Sequence, residues 1–337
     1  MAKFDLAVLG GGPGGYVAAI RGAQHGLKTC IIDKDKLGGI CLNWGCIPTK
    51  ALLKNAEVYH TIKHADTYGI KVENVSVDFK KNIQRSRDIS NRLSKGIEFL
   101  MKKNKITHIT GIGKLTSKTS LEVKNKQKTD TIEADKIILA TGARPKSFPR
   151  MEFDGNRVIS FKEAMLLDSP PKKMIIIGSG AIGSEFAYYY NEFGTEVHMI
   201  EMLDRILPIE DADVSKEVGK SFKKSSIKIS TGTKVSKIES LKTKVKVHTE
   251  RKGKKEILEG DLALLAVGVT GNIEYLGLEE LGIKTNAGTI NINEFNQTNI
   301  PNIFAIGDVS GPPWLAHVAS AQGHVAADYI GGHSPKP

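Results

Sequence analysis

Two cysteines five residues apart, Cys41 and Cys46, lie in the run Gly38-Gly-Ile-Cys-Leu-Asn-Trp-Gly-Cys-Ile-Pro-Thr-Lys50. A close pair in a chain with only three cysteines points to dithiol–disulfide chemistry rather than to a stapled extracellular framework. In a regular helix five residues climb ~7.5 Å, beyond the ~4.4–6.8 Å Cα separation of a disulfide. A bridge therefore needs a distorted first turn. Gly45 tolerates that distortion, and Pro48 is acceptable near a helix start. A strained, accessible bridge is easily reduced. A metal site fails for want of partners, since no CxxC and no second Cys/His cluster lies nearby, and none is expected. Cys30, at the start of an apolar strand, reads as a small buried hydrophobe.

The elements that position such a pair form a repeat. An apolar strand at 4–9 leads into Gly10-Gly-Gly12-Pro13-Gly14-Gly15, then a helix at 16–25 and a strand at 28–32 ending at Asp33. A second strand at 174–177 leads into Gly178-Ser-Gly180-Ala-Ile182-Gly183, a helix through Phe193, and a strand at 196–200 ending at Glu201. From first glycine to terminal acid the spacing is 23 residues in both copies, 33 − 10 and 201 − 178. The first glycine of each loop permits a tight turn, the second lets backbone approach a pyrophosphate, and the third lets helix pack on strand. The helix N-terminus offers unpaired N–H groups to phosphate, and the acid accepts from ribose hydroxyls. Glu201 favours a free 2′-hydroxyl, hence NAD over NADP, although Arg205 lies nearby. Later apolar strands at 135–141 (ending in Gly142), 261–267 (ending in Gly268) and 302–306 (ending in Gly307-Asp308) suit strands buried on both faces of parallel sheets.

These elements predict an α/β chain with two doubly wound, Rossmann-like dinucleotide domains, the second inserted into the first. The expected division is 1–145 and 271–337 for the first domain and 146–270 for the second. At 337 residues, with 40% hydrophobic residues and 34 glycines, the chain is long enough for two cores. The formal charge of +11 sits mostly on polar stretches such as 80–105 and 242–255. These lack the aromatic interleaving of a single-strand binder, so neither nucleic acid nor membrane is an expected partner. Residues 1–5 lead directly into a strand, and no apolar run reaches ~18 residues; a cytoplasmic location is expected.

Together, GGGPGG, GGICLNWGCIPTKALL, ILATGARP, IIIGSGAIGSEFA, Glu201 and IFAIGDVSGPPWLAHVA resemble the FAD-dependent class I pyridine nucleotide–disulfide oxidoreductases over essentially the whole chain. Within them the chain is similar to the branch that oxidises a dihydrolipoyl arm. The resemblance implies a redox disulfide Cys41–Cys46, with Cys41 meeting substrate and Cys46 nearer the flavin. It implies FAD at the first site, held by Gly10, Gly12, Pro13, Gly14, Gly15, Asp33, Lys34, Gly39, Gly113, Thr141, Gly142, Gly307 and Asp308. Leu315, Ala316 and His317 would meet the flavin's pyrimidine edge, His317 through its backbone. Lys50, paired with Glu185, is implied near the reactive flavin nitrogen. NAD is implied at Gly178, Gly180, Ile182, Gly183, Glu201, Val235 and Gly268, with Ile182 either a gate over the flavin or a helix-start core residue. Implied partners are the lipoyl domain of a 2-oxo acid dehydrogenase acyltransferase and a second copy of the chain.

Three departures from the family stand out. The interface segment His-x-His-Pro that supplies a base across the dimer is not found before Pro337, and His333 precedes Ser-Pro, so the role is not assigned to it. A truncated chain is therefore expected, with a weakened dimer and poor turnover of its natural substrate, retaining flavin-mediated NADH oxidation with artificial acceptors. Ile40 stands where a threonine is common, and Val269-Thr-Gly-Asn272 replaces the commoner Arg-Arg-Pro-Asn. Two rival readings are a sibling reductase acting on glutathione, a related disulfide or mercuric ion, and a non-catalytic nucleotide-binding module.

Overall fold

The computed structural model describes residues 2–126 and 128–336. They form two compact units. One comprises Met1–Asn43, Ser90–Arg144 and Thr270–Pro337; the other comprises Trp44–Ile89 and Pro145–Val269.

In the first unit the strand Ala2–Leu9 lies between the parallel strands Thr29–Asp33 and Thr129–Leu139. Thr107–Thr110 extends the sheet beyond Thr29–Asp33, and Ile303–Ala305 pairs in parallel with the last residues of Thr129–Leu139. Side chains alternate between two cores, as the two-residue period of a strand requires. Ala7, Leu9, Cys30, Ile32, Ile137 and Leu139 feed one; Leu6, Val8, Ile31, Ile138 and Phe304 feed the other. The helices Pro13–Gln24 and Ala316–Ile330 cover the second face. They approach closely because Gly323 faces the Gly14 carbonyl, where a Cβ would lie 2.6 Å from the oxygen.

The second unit repeats the strand plan. Lys173–Ile177 lies between Glu196–Ile200 and Leu262–Leu265, with Lys228–Ser230 and Val158–Ile159 outermost, all parallel. An antiparallel sheet of Lys234–Ser240, Val245–Arg251 and Lys254–Gly260 adds to it. The helix Cys46–Lys63 meets the C-cap of Ala181–Glu192 through Tyr59, stacked on Phe193 at 5.3 Å, and Phe79, at the start of the helix Phe79–Lys103, lies edge-on to Phe193 at 5.5 Å.

Two strands differ most from the sequence expectation. The strand expected from Asp135 begins at Thr129. Its polar first half, Thr129–Glu133 in register, pairs antiparallel with Ser120–Lys124, and that long-range pairing leaves no apolar run to read. The strand expected over 261–267 is confined to Leu262–Leu265. Asp261 instead accepts the Lys173 N–H at 2.9 Å, fixing the entry of the neighbouring strand.

Candidate functional site: two glycine loops and a cysteine pair

The outer glycines of each loop are demanded by the protein's own backbone. Gly10 and Gly178 have φ of +113° and +97°, where side chains other than hydrogen are strained. A Cβ on Gly15 would lie 1.8 Å from the Gly10 carbonyl oxygen, and one on Gly183 would lie 2.1 Å from that of Gly178. The middle glycines are different. Around Gly180 no atom lies within 4 Å of such a Cβ, and at Gly12 the nearest is Gly39 Cα at 3.8 Å. Nothing in the fold excludes a methyl group there, so those positions keep a clear surface for something from outside.

Four helices share a further feature. Pro13–Gln24, Cys46–Lys63, Ala181–Glu192 and Ala316–Ile330 begin without a side-chain cap and without an acid in the first turn. By contrast, Ser160 caps Phe161–Ala164 and Asp211 caps Ala212–Lys224. Uncapped N–H groups at the positive end of a helix dipole are suited to anionic oxygen. Pro13 sits at the start of its helix, where its missing N–H costs nothing.

The two acids are tied to the loops in the same way. The Gly11 N–H donates to Asp33 Oδ2 at 2.6 Å and the Asp35 N–H to Oδ1 at 2.8 Å. Burial raises the Asp33 pKa above the usual carboxylate value, and these two donors oppose it. In the second unit the Ser179 N–H and hydroxyl donate to Glu201 Oε2 at 2.9 and 2.7 Å, and the Leu203 N–H to Oε1 at 2.9 Å. The Arg205 guanidinium donates to the carbonyls of Pro208 and Glu210 at 3.1 and 3.3 Å. It braces its own loop, which answers the doubt its position raised.

The remaining first-site residues gather around the same loop. The Gly38 N–H donates to the Gly11 carbonyl at 2.7 Å, and Gly39, at φ +57°, abuts Gly12 so closely that a Cβ would lie 2.6 Å from Gly12 Cα. The helix Gly39–Asn43, which carries Cys41, thus starts against the loop. Thr141 and Gly142 are clamped by Asn272. Its side chain donates to the Thr141 carbonyl and its N–H to the Gly142 carbonyl, both at 2.9 Å, while the Thr141 hydroxyl donates to the Asn272 carbonyl. Gly113 packs beneath Leu9 and is a spacing residue for the sheet. The Gly307 N–H donates to Gln322 Oε1 at 2.7 Å. Asp308 follows, half-buried, its carboxyl pushed above the usual range by burial and with no hydrogen-bond donor on its carboxylate among the described residues. Leu315 precedes and Ala316 and His317 open the uncapped helix Ala316–Ile330, with the His317 side chain exposed. Lys34 is exposed and forms no ion pair among the described residues.

In the second unit Cys46 opens the 18-residue helix Cys46–Lys63 after Gly45, whose φ of −144° and ψ of −113° break the path from the preceding short helix. The interruption falls where a cysteine bridge needs one. Cys41 and Cys46 are both half-buried. Lys50 Nζ lies 3.1 Å from Glu185 Oε1. Ile182 is half-buried in the first turn of its helix. Val235 packs against the cluster containing Ile177, at a bulge between it and Lys237. Gly268 has φ +98°, and its carbonyl accepts the Lys146 N–H at 3.0 Å. Cys30 is fully buried, and burial pushes its thiol up to about 12, so it is inert.

Asn272 and Gln322 escaped notice as site-builders. Asn272 stood out only as part of an unusual tetrapeptide, and nothing local marks Gln322. Among the described residues no group of three or more metal-ligating side chains is assembled, and no helix is long and apolar enough to cross a membrane.

The chain as a whole is similar to known proteins. The model of the family described as Pyridine nucleotide-disulphide oxidoreductase matches residues 4–323. A dihydrolipoyl dehydrogenase of Zymomonas mobilis is 46% identical over 98% of this chain and 71% of its own length. One of Chlorobaculum parvum is 42% identical over 100% of this chain and 72% of its own. The crystal structure of LpdA from Mycobacterium tuberculosis superposes with a TM-score of 0.93 at 27% identity, over 100% of this chain and 74% of that one. The chain is a member of the pyridine nucleotide-disulphide oxidoreductase family.

Proposed function

We propose that the chain oxidises a dihydrolipoyl arm and reduces NAD+, through a redox pair Cys41/Cys46 with FAD and NAD as cofactors. The observation that carries this reading is the acid-to-loop bond found twice, Gly11 to Asp33 and Ser179 to Glu201, each beside an uncapped helix. One such site holds one dinucleotide; two of them in a chain that also carries a close cysteine pair describe an electron path.

In this reading 1–145 with 271–337 holds FAD and 146–270 holds NAD. The Gly10–Gly15 loop and the first turn of its helix bind the FAD pyrophosphate, and Asp33 the adenosine ribose. The unpartnered Asp308 accepts from ribityl hydroxyls, and the N–H groups at Ala316 and His317 meet the ring edge. Bound FAD supplies a two-electron relay between the dithiol and the nicotinamide. Gly180 leaves room for the NAD pyrophosphate and Glu201 selects the 2′-hydroxyl.

The sulfur chemistry belongs to the chain. A substrate thiolate attacks Cys41 Sγ, the bond to Cys46 breaks, and Cys46 leaves as a thiolate. The first turn of its helix favours that negative charge. The second substrate thiol then attacks the substrate sulfur of the mixed disulfide, closing the lipoyl ring and releasing Cys41. The net result is oxidation of the substrate dithiol by two electrons and loss of two protons. One proton and the electron pair end in NADH, and the other proton in solvent. Lys50, held by Glu185, places a positive charge one turn beyond Cys46. A lipoyl domain of a 2-oxo acid dehydrogenase acyltransferase in the cytoplasm presents the substrate, and a second copy of the chain forms a weakened homodimer with the first.

The test is NADH formation from dihydrolipoamide by the flavin-loaded chain, beside parallel assays with glutathione, mercuric ion and NADP(H). Preference for dihydrolipoamide and NAD+ supports the reading. Colourless protein that takes up no FAD, or a preference for glutathione disulfide with NADPH, overturns it.

A further inference from the structure

The helix that begins at Cys46 ends at a second chemical feature that the redox reading does not use. His60 lies in its last turn and His64 is its C-cap. Four residues apart, they share one helix face, and their ring centroids are 4.2 Å apart. Both side chains are exposed.

The protein fixes the tautomer of each ring. His60 Nδ1 is 3.0 Å from Glu192 Oε1, and His64 Nδ1 is 2.8 Å from the His60 carbonyl oxygen. A carboxylate and a carbonyl only accept, so each Nδ1 carries a proton. In the neutral rings each Nε2 therefore carries a lone pair, and neither has a hydrogen-bond partner among the described residues. An imidazole whose second nitrogen donates to a carboxylate or a carbonyl is the arrangement that orients histidines for metal.

The acceptor of the His60 ring is itself held in place. Glu192 is 7% exposed and is also held by Lys63, whose Nζ is 3.0 Å from Oε2. The helix C-terminus adds partial negative charge. Zinc–nitrogen bonds of ~2.0–2.1 Å at tetrahedral angles place two ligand nitrogens roughly 3.3 Å apart, within reach of rings this close.

We propose that His60 and His64 form a binding site for a divalent transition-metal ion, with their two Nε2 atoms as the protein ligands and water completing the shell. Only two side chains ligate, so the site is an exchangeable one. It stands independently of the flavin and NAD assignments.

The experiment titrates Zn2+ alone, by isothermal calorimetry, into the full FAD-loaded chain with its cysteines kept oxidised, so that thiolates do not compete. His60→Ala and His64→Ala each remove one ligand at an exposed position, and circular dichroism verifies that they fold. His25→Ala is the control, because His25 and His333 form a separate histidine contact, Nδ1 to Nε2, of 3.0 Å. The expected result is one Zn2+ equivalent whose affinity falls at least about tenfold in both His60→Ala and His64→Ala and is unchanged in His25→Ala. Absence of Zn2+ binding to the parent chain, or affinity unaltered by both substitutions, overturns the proposal.

Discussion

Ser179 gives Glu201 two hydrogen bonds, from its N–H at 2.9 Å and its hydroxyl at 2.7 Å, so the acid closing the second strand is fastened to the loop opening the helix. In the proposed function the same side chain would both brace the fold and select the cofactor. Glu201→Ala leaves the Ser179 and Leu203 N–H groups without their acceptor. It is expected to cost about 1–3 kcal/mol of stability and to weaken NAD+ at least about tenfold. Thermal melts and NADH fluorescence titration check both, and tight NAD+ binding by the variant counts against the assignment.

The glycines of that loop separate folding from binding. Gly183→Ala places a methyl group against the Gly178 carbonyl oxygen, 2.1 Å from the built Cβ position. It is expected to destabilise the protein by about 1–3 kcal/mol or more. Gly180→Ala meets open space, so the melt of the nucleotide-free protein should stay within ~0.5 kcal/mol while NAD+ binding falls. Equal loss of stability in both variants contradicts this division.

Lys50 and Glu185 form an ion pair with side chains 66% and 29% exposed. Such a pair contributes at most about 1 kcal/mol. Lys50→Met is therefore expected to leave the melting temperature nearly unchanged while shifting the flavin reduction potential and slowing turnover. A variant with the parent's potential and rate removes Lys50 from the redox centre.

The three cysteines should divide by environment. The Cys30 thiol, pushed up to about 12 by burial, is expected to resist alkylation in the folded protein at neutral pH. After mild reduction, Cys41 and Cys46 should label. Mass spectrometry of iodoacetamide-treated protein reads the count, and labelling of Cys30 before unfolding sinks the prediction.

Acid stability should depend on Asp154. Burial pushes its carboxyl up, but hydrogen bonds from Ser240 and from the N–H groups of Asn156, Val158 and Arg157 outweigh that and hold it at about 2. The folded value lies below the unfolded value of 3.8. Its stabilisation is therefore complete above about pH 4 and lost as pH falls toward 2. Melts of the parent and of Asp154→Asn from pH 7 to 2 should converge at the acid end. Parallel curves across that range refute the assignment.

Much of this protein is written locally. The two glycine loops, the acids 23 residues on and the apolar strands announce two parallel sheets, because loop turns and two-residue burial patterns are properties of adjacent residues. The helix break at Gly45 was legible for the same reason, since Cys41 and Cys46 fit a bridge only if the helix is interrupted. Other features depended on the folded chain. Thr129–Leu139 gains its polar half by pairing with Ser120–Lys124. Asn272 clamps Thr141 from 131 residues away, and Gln322, from the following helix, holds Gly307. Arg205 could be read from sequence as a partner for a 2′-phosphate until its guanidinium was found on Pro208 and Glu210. The tautomers of His60 and His64 were likewise undetermined until Glu192 was brought to one and a helical carbonyl to the other. Sequence by itself determined which residues could turn, bury or carry charge. Tertiary structure decided which hydrogen-bonding atoms those charges met, because a donor and acceptor distant in the chain are paired only by packing.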